Sequence, residues 1–160
     1  MANRFLLLFG LLGTAQWFFG NFYEAVVLAP NMLSSTAAKL AAWQGYFTST
    51  NPIFYYVPLT QLAMAAVWAS WYRAPAGSRL RGRLAKASLL GLAALLLTGY
   101  IVTQLNLQLF FGDLAAQQAQ LPAMALRWNV LNLVRVGLLG GCLFQVYRAH
   151  LLSAAGVTIS

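Results

Sequence analysis

The sequence predicts an all-α integral membrane protein, a bundle of four transmembrane helices with a short amphipathic interfacial helix between the first and the second. Three observations carry this. Hydrophobic types make up 61% of the 160 residues and charged types only 8%, where soluble domains carry about a quarter charged residues. Such a surface cannot face water on every side. Four stretches are each long and apolar enough to cross a bilayer, which takes about 20 residues. The ten basic residues fall mostly between those stretches, five of them from Arg73 to Lys86. A chain of this length has room for one domain of ordinary size, so residues 1–160 are expected to form a single four-span unit.

Span one is expected over about 5–28. Phe5 to Tyr23 carries no charge, and Pro30 is expected to stop the helix. Arg4 ahead of Phe5 to Leu12 resembles the start of a signal peptide. Thr14-Ala15-Gln16 is a poor cleavage site, however, and apolar character continues through Phe22 to Leu28, so an uncleaved span is expected. Asn31 to Asn51 is too polar to cross. Within it Ser34, Ser35 and Thr36 offer an N-cap, and Leu40, Trp43 and Phe47 recur at helical spacing. This is the interfacial helix, with Trp43, Tyr46 and Phe47 as anchors. Span two is expected over about 52–72, opening on Pro52 in a favoured first position, with Pro58 bending its first turns. Span three is expected over about 84–109. A polar stretch from Gly112 to Gln120 leads to span four, about 122–147, which alone carries charges at depth, Arg127 and Arg135.

Charge distribution gives an orientation. The loop between spans two and three, with the start of span three, holds five basic residues, Arg73, Arg79, Arg81, Arg83 and Lys86; Arg4 precedes span one and Arg148 follows span four, while the other two loops hold only Lys39 and Asp113. Basic residues in short loops stay on the cytoplasmic side, so a cell-membrane protein with both termini and the middle loop in the cytoplasm is expected. The net charge of +8 then serves orientation and contact with the head groups of anionic membrane lipids rather than nucleic acid. Cys142 is the single cysteine and His150 the single histidine. The chain therefore offers no intrachain disulfide, no Cys/His metal set and no pair of axial histidines for a haem. Neither a phosphate-binding loop nor a dinucleotide fingerprint is present. No metal or cofactor is expected.

The residues with chemistry in them lie inside the spans. An ionisable side chain in hydrocarbon costs about 2.5–3.5 kcal/mol on insertion scales. Glu24 is the one acidic residue within a span, and Arg127 and Arg135 are the cations available to it. Trp17, Asn21 and Glu24 share one face of span one at i, i+4 and i+7; Trp128, Asn132 and Arg135 repeat that spacing on span four. At about 1.5 Å per residue, Glu24 lies roughly 9 Å below Pro30, level with Arg127, while Arg135 lies deeper, level with Asn21 or Trp17. Depth favours Arg127 as the partner of Glu24 and face favours Arg135; both stay open. Thr98, Val102 and Asn106 share a face of span three. The candidate catalytic residues are Glu24, Asn132 and Arg135, and the candidate ligand contacts are Trp17, Asn21, Thr98, Asn106, Arg127 and Trp128. The competing reading is that these polar groups only hold helices together, at about 0.6 kcal/mol apiece.

Thr98 followed by Asn106, a polar loop, then Arg127-Trp128, Asn132 and Arg135, resembles the anthrone-oxygenase-like family of small four-span membrane proteins, whose last span carries a Trp-x-x-x-Asn-x-x-Arg signature. Pro30 and Asn51-Pro52 fit the same pattern. Two positions depart from it: Leu133 stands where many members have His, and Gln104 where many have Pro. The resemblance implies a related four-span scaffold. It further implies oxidation of an anthrone-like compound by oxygen, with Glu24 as base in place of the missing His. The expected partner is thus a small apolar or aromatic ligand. The alternative is a non-enzymatic accessory or lipid-binding membrane component. A transporter built from four spans would need to form a homo-oligomer, and self-association is left open.

Overall fold

The computed structural model describes residues 2–34 and 36–155 and is built from helices alone among them. Helix α1 (Ala2–Tyr23) runs through a π-helical turn, π1 (Glu24–Leu28), into α2 (Ala29–Leu33), and α3 (Thr36–Tyr46) follows. Then come α4 (Pro52–Arg73), α5 (Arg79–Ile101), a second π-turn, π2 (Val102–Asn106), the short α6 (Leu107–Leu109), and α7 (Leu121–Ala154). Four continuous helical stretches, 4–33, 52–73, 79–109 and 121–154, are long and apolar enough to span a membrane. They alternate in direction around a four-helix bundle. α1 packs on α4 and α7, and α5 packs on the same two.

The spans are longer than the sequence predicts. Pro30 does not stop span one. A π-turn precedes it, in which the Ala29 N–H reaches back to the Glu24 carbonyl, and Pro30 occupies the first turn of α2, where its missing N–H costs least. Span three begins at Arg79, capped by the Ser78 hydroxyl, which accepts from the Arg81 N–H at 3.2 Å. Span four carries on to Ala154 and takes Arg148 and His150 onto the helix. Its 34 residues reach about 50 Å at 1.5 Å each, longer than the roughly 30 Å of a hydrocarbon core. Arg148 lies over the Phe144 ring.

Asn51 caps α4 as its Oδ1 accepts from the Ile53 N–H at 3.0 Å, with Pro52 next to it in a first-turn position and Pro58 inside the helix. Helix α3 forms where the amphipathic segment is expected. Its stripe seats on the bundle: Leu40 is buried, and Trp43 packs on Phe47 and Phe110. The Gln44 amide donates to the carbonyls of Leu109 and Gly112, fastening α3 over the end of span three. Ser35, one of the three candidate caps of this helix, lies outside the described residues.

The core has two parts. At the basic end, near Arg4, Arg79 and Arg148, all four spans contribute, with Leu7, Met64, Val67, Leu84 and Leu139 among the buried residues. At the far end the core joins Met32, Leu40, Ile101, Leu105, Leu109, Leu121 and Trp128, from spans one, three and four and from α3. Span two supplies none of the buried residues of this far core among those described. Its far segment, 52–59, contains no buried residue at all.

Candidate functional site

Where span two stands away from the far core, a cleft opens between it and spans one, three and four. Its walls are Trp17, Asn21 and Glu24 on span one, Tyr56 and Thr60 on span two, Thr98, Val102 and Asn106 on span three, and Trp128 and Arg135 on span four. Trp43 and Phe110 roof it at the far end. The enclosed space amounts to about 100 Å³, and to about 870 Å³ when the open mouth and the solvent in it are counted.

The two π-turns explain how so many side chains reach one cavity. On span three and just past its end the lining residues are Thr98, Val102, Asn106, Phe110 and Phe111, the first four of them each four positions after the last. In an α-helix a four-residue step overshoots a full turn by about 40°, so three steps would carry Phe110 about 120° away from Thr98. The wider winding of π2 between Val102 and Asn106 absorbs more than half of that drift. On span one Glu24, Leu28 and Met32 are related in the same way, and π1 begins at Glu24. Such turns are frequent at functional sites because they re-aim side chains without breaking a helix.

A chain of polar contacts crosses the cleft wall. Arg135 Nη2 donates to Glu24 Oε2 at 3.3 Å, an ion pair whose side chains are 7% and 19% exposed. Arg135 is held in place by Asn132, whose Oδ1 accepts from Nη2 at 2.7 Å and from Nε at 3.2 Å. The Asn132 amide donates in turn to the Asn21 carbonyl at 3.5 Å, and the Asn21 amide to the Trp17 carbonyl at 2.8 Å. The partner of Glu24 is therefore Arg135. On the span-three side, the Trp128 indole N–H donates to Asn106 Oδ1 at 2.8 Å, which leaves the Asn106 amide nitrogen to donate elsewhere. Thr98 donates to the Ala94 carbonyl at 2.7 Å and retains its oxygen lone pairs for the cleft.

Seven of the nine candidate residues thus line the cleft. Two do not. Asn132 is fully buried behind it and acts through Arg135. Arg127 lies on the outer surface of the bundle, with its guanidinium bonded to the Tyr100 hydroxyl and over that ring. Sequence reasoning missed Tyr56, whose ring lies where a side chain at Gly20 would stand, so that only glycine at 20 admits it. It also missed Thr60, Met32 and Phe110. The four-residue spacing of Pro52, Tyr56 and Thr60, all lining residues, is the signal that could have found the first two.

The fold and this wall define a multi-pass membrane protein with an ion pair set in a cleft of mixed aromatic and polar lining. Compared with protein-family models, with curated proteins and with solved structures, the chain has no significant match in any of the three.

Proposed function

We propose that the protein binds a small apolar or aromatic compound in the far-end cleft, with Glu24 and Arg135 as its polar contacts. The observation that supports this best is the position of the ion pair. A pair serving only to join spans one and four needs no open space beside it, whereas this one forms part of the wall of an open, Trp-lined space. The cleft presents an acceptor in the Glu24 carboxylate and donors in Asn106 and Arg135. Apolar rings of Trp17, Trp128 and Phe110 surround them.

The resemblance to the anthrone-oxygenase-like family extends this to an oxidation. A doubly activated ring CH2 would lose a proton to Glu24, and the Arg135 guanidinium would meet the charge of the anion. With dioxygen as oxidant, one oxygen atom ends in the new carbonyl and the other leaves as water with the two hydrogens. Asn132 positions Arg135 in this scheme. In the same reading the protein sits in the cell membrane with both termini and the basic loop in the cytoplasm. The alternative, a non-enzymatic accessory or lipid-binding component, draws on the bonds that Asn132 and Glu24 already take from Nε and Nη2 of Arg135.

The test is mass spectrometry of small molecules that co-purify in mild detergent with the unaltered protein and with Glu24→Gln. The proposal expects an aromatic or apolar compound carried by the first and lost from the second while the fold persists. Equal recovery from both, or none from either, would count for the structural alternative.

A further inference from the structure

The cleft has a roof and an open side, and they face different solvents. Toward the far end α3 covers it on the side of spans one, three and four, with Trp43 against Phe110 and the Gln44 amide bonded to two carbonyls at the end of span three. Sideways it is not sealed. α4 packs on α5 through Met64 and its neighbours at mid-bundle, and the Met64 side chain fills the space beside Gly91. Beyond Thr60 the two spans part. No residue of 52–59 is buried, the far core contains nothing from span two, and α4 hardly touches π2 among the described residues. The lips of this slot are Ile53 and Val57 on one side and Val102 and Asn106 on the other, all half-buried and all lining the cleft. Both lips belong to helices long and apolar enough to span a membrane, so the slot is on the side of the bundle that lipid would cover.

We infer that the cleft is loaded sideways, through the slot between the far halves of spans two and three, by a low-molecular-mass lipophile dissolved in that leaflet. Three of the four lip residues are aliphatic and match acyl chains, while the ion pair lies further in, on spans one and four. A water-soluble compound would meet the α3 roof first. A lipophile already in the bilayer meets Val57 and Val102 and then Glu24 and Arg135, with no aqueous step. Span two is suited to yield at this point. Pro58 removes a backbone hydrogen bond just below the lips, and the far arm is held on span one by Tyr56 against Gly20.

The inference rests on the ligand reading above, and fluorescence quenching separates the two. Of the five tryptophans, Trp43, Trp68 and Trp71 are changed to Phe, leaving Trp17 and Trp128, which are 2% and 4% exposed. In phosphatidylcholine vesicles, membrane-dissolved methyl dibromostearate should quench these indoles strongly and aqueous iodide should not. Val57→Phe and Val102→Phe, each filling one lip, should lower quenching by the lipophile several-fold at unchanged circular dichroism. Quenching by iodide alone would put the mouth in water and overturn the slot while leaving a ligand cleft. Quenching by the lipophile that neither lip variant diminishes would place the entrance elsewhere and also overturn it. No quenching by either agent would mean a filled interior and would overturn both readings. If the lip variants fail to fold, the contrast between lipophile and iodide in the three-Phe protein still decides whether the mouth faces lipid or water.

Discussion

Arg135→Gln removes the cation from Glu24 and leaves a carboxylate in an apolar wall. Removing one partner of a buried pair costs about 3–5 kcal/mol. The Glu24 side chain keeps 19% exposure toward the cleft, so water reaching it places the loss near the lower limit, about 3 kcal/mol. Asn132 Oδ1 loses two donated bonds, but the amide that replaces the guanidinium can restore one of them. At roughly 2–4 °C per kcal/mol for a chain of this size, the melting temperature in detergent should fall by about 6–12 °C. Glu24→Gln should cost less, because Arg135 keeps both bonds to Asn132 and the amide carbonyl that replaces the carboxylate still accepts from it.

The double variant discriminates. With both charges gone, a contact between two amides has nothing uncompensated to bury, and replacement of a whole buried pair is often neutral. Its melting temperature should return to within about 1 kcal/mol of the unaltered protein, roughly 2–4 °C. Independent sites would instead add their losses. Thermal unfolding followed by circular dichroism measures all four proteins. A double variant whose loss equals the sum of the singles, or an Arg135→Gln protein with an unchanged melting temperature, would show that the 3.3 Å contact carries no coupling and would refute this reasoning.

Three further outcomes follow from the packing and the charge pattern. Gly13→Ala would place a methyl 2.5 Å from Ala63 Cβ, against the α4 backbone, so spans one and two must separate and stability should fall by about 1–3 kcal/mol; an unchanged melting temperature in detergent would contradict that close approach. Asn51→Ala deletes the cap bond to Ile53 and should cost about 0.5–2 kcal/mol, with Asn51→Asp restoring it; faster amide exchange should be confined to the first turns of α4, and exchange unchanged there would contradict the cap. For orientation, single cysteines at Ala76 and Gln118 should behave oppositely with an impermeant thiol reagent on intact cells, Gln118→Cys reacting and Ala76→Cys not. Ala76 is preferred to its neighbour Gly77, whose φ of 76° suits glycine. The reverse labelling would invert the orientation.

The spans were legible because lipid tolerates so few sequences: four long runs that are nearly all apolar leave little choice of fold. Their ends were less so, since Pro30 stops a helix only where regular α-winding must continue, and π1 supplies a different winding just ahead of it. The same physics hid part of the site. The series Thr98, Val102, Asn106 and Phe110 has a period of four, and under α-geometry its last member belongs to another face. Only a π-turn, which local sequence does not announce, brings it back. Span two was the hardest to interpret, for it carries no charge, and its role depends on where it fails to pack.

The choice between Arg127 and Arg135 shows which rule governs a bundle interior. Depth along the axis put Arg127 level with Glu24, yet its guanidinium is on the outer surface with Tyr100. Eight residues separate the two arginines, which at about 100° per residue places them about 80° apart around the helix. An arginine is long and can extend along the axis by several ångströms, but it cannot pass through its own helix to the other side. Trp128, Asn132 and Arg135 recur at four and seven residues and share the face turned toward span one, and that shared face fixed the partner. For ionisable residues on neighbouring spans, then, angular position selects the pair first, and a mismatch of depth of one or two turns is made up by the side chain.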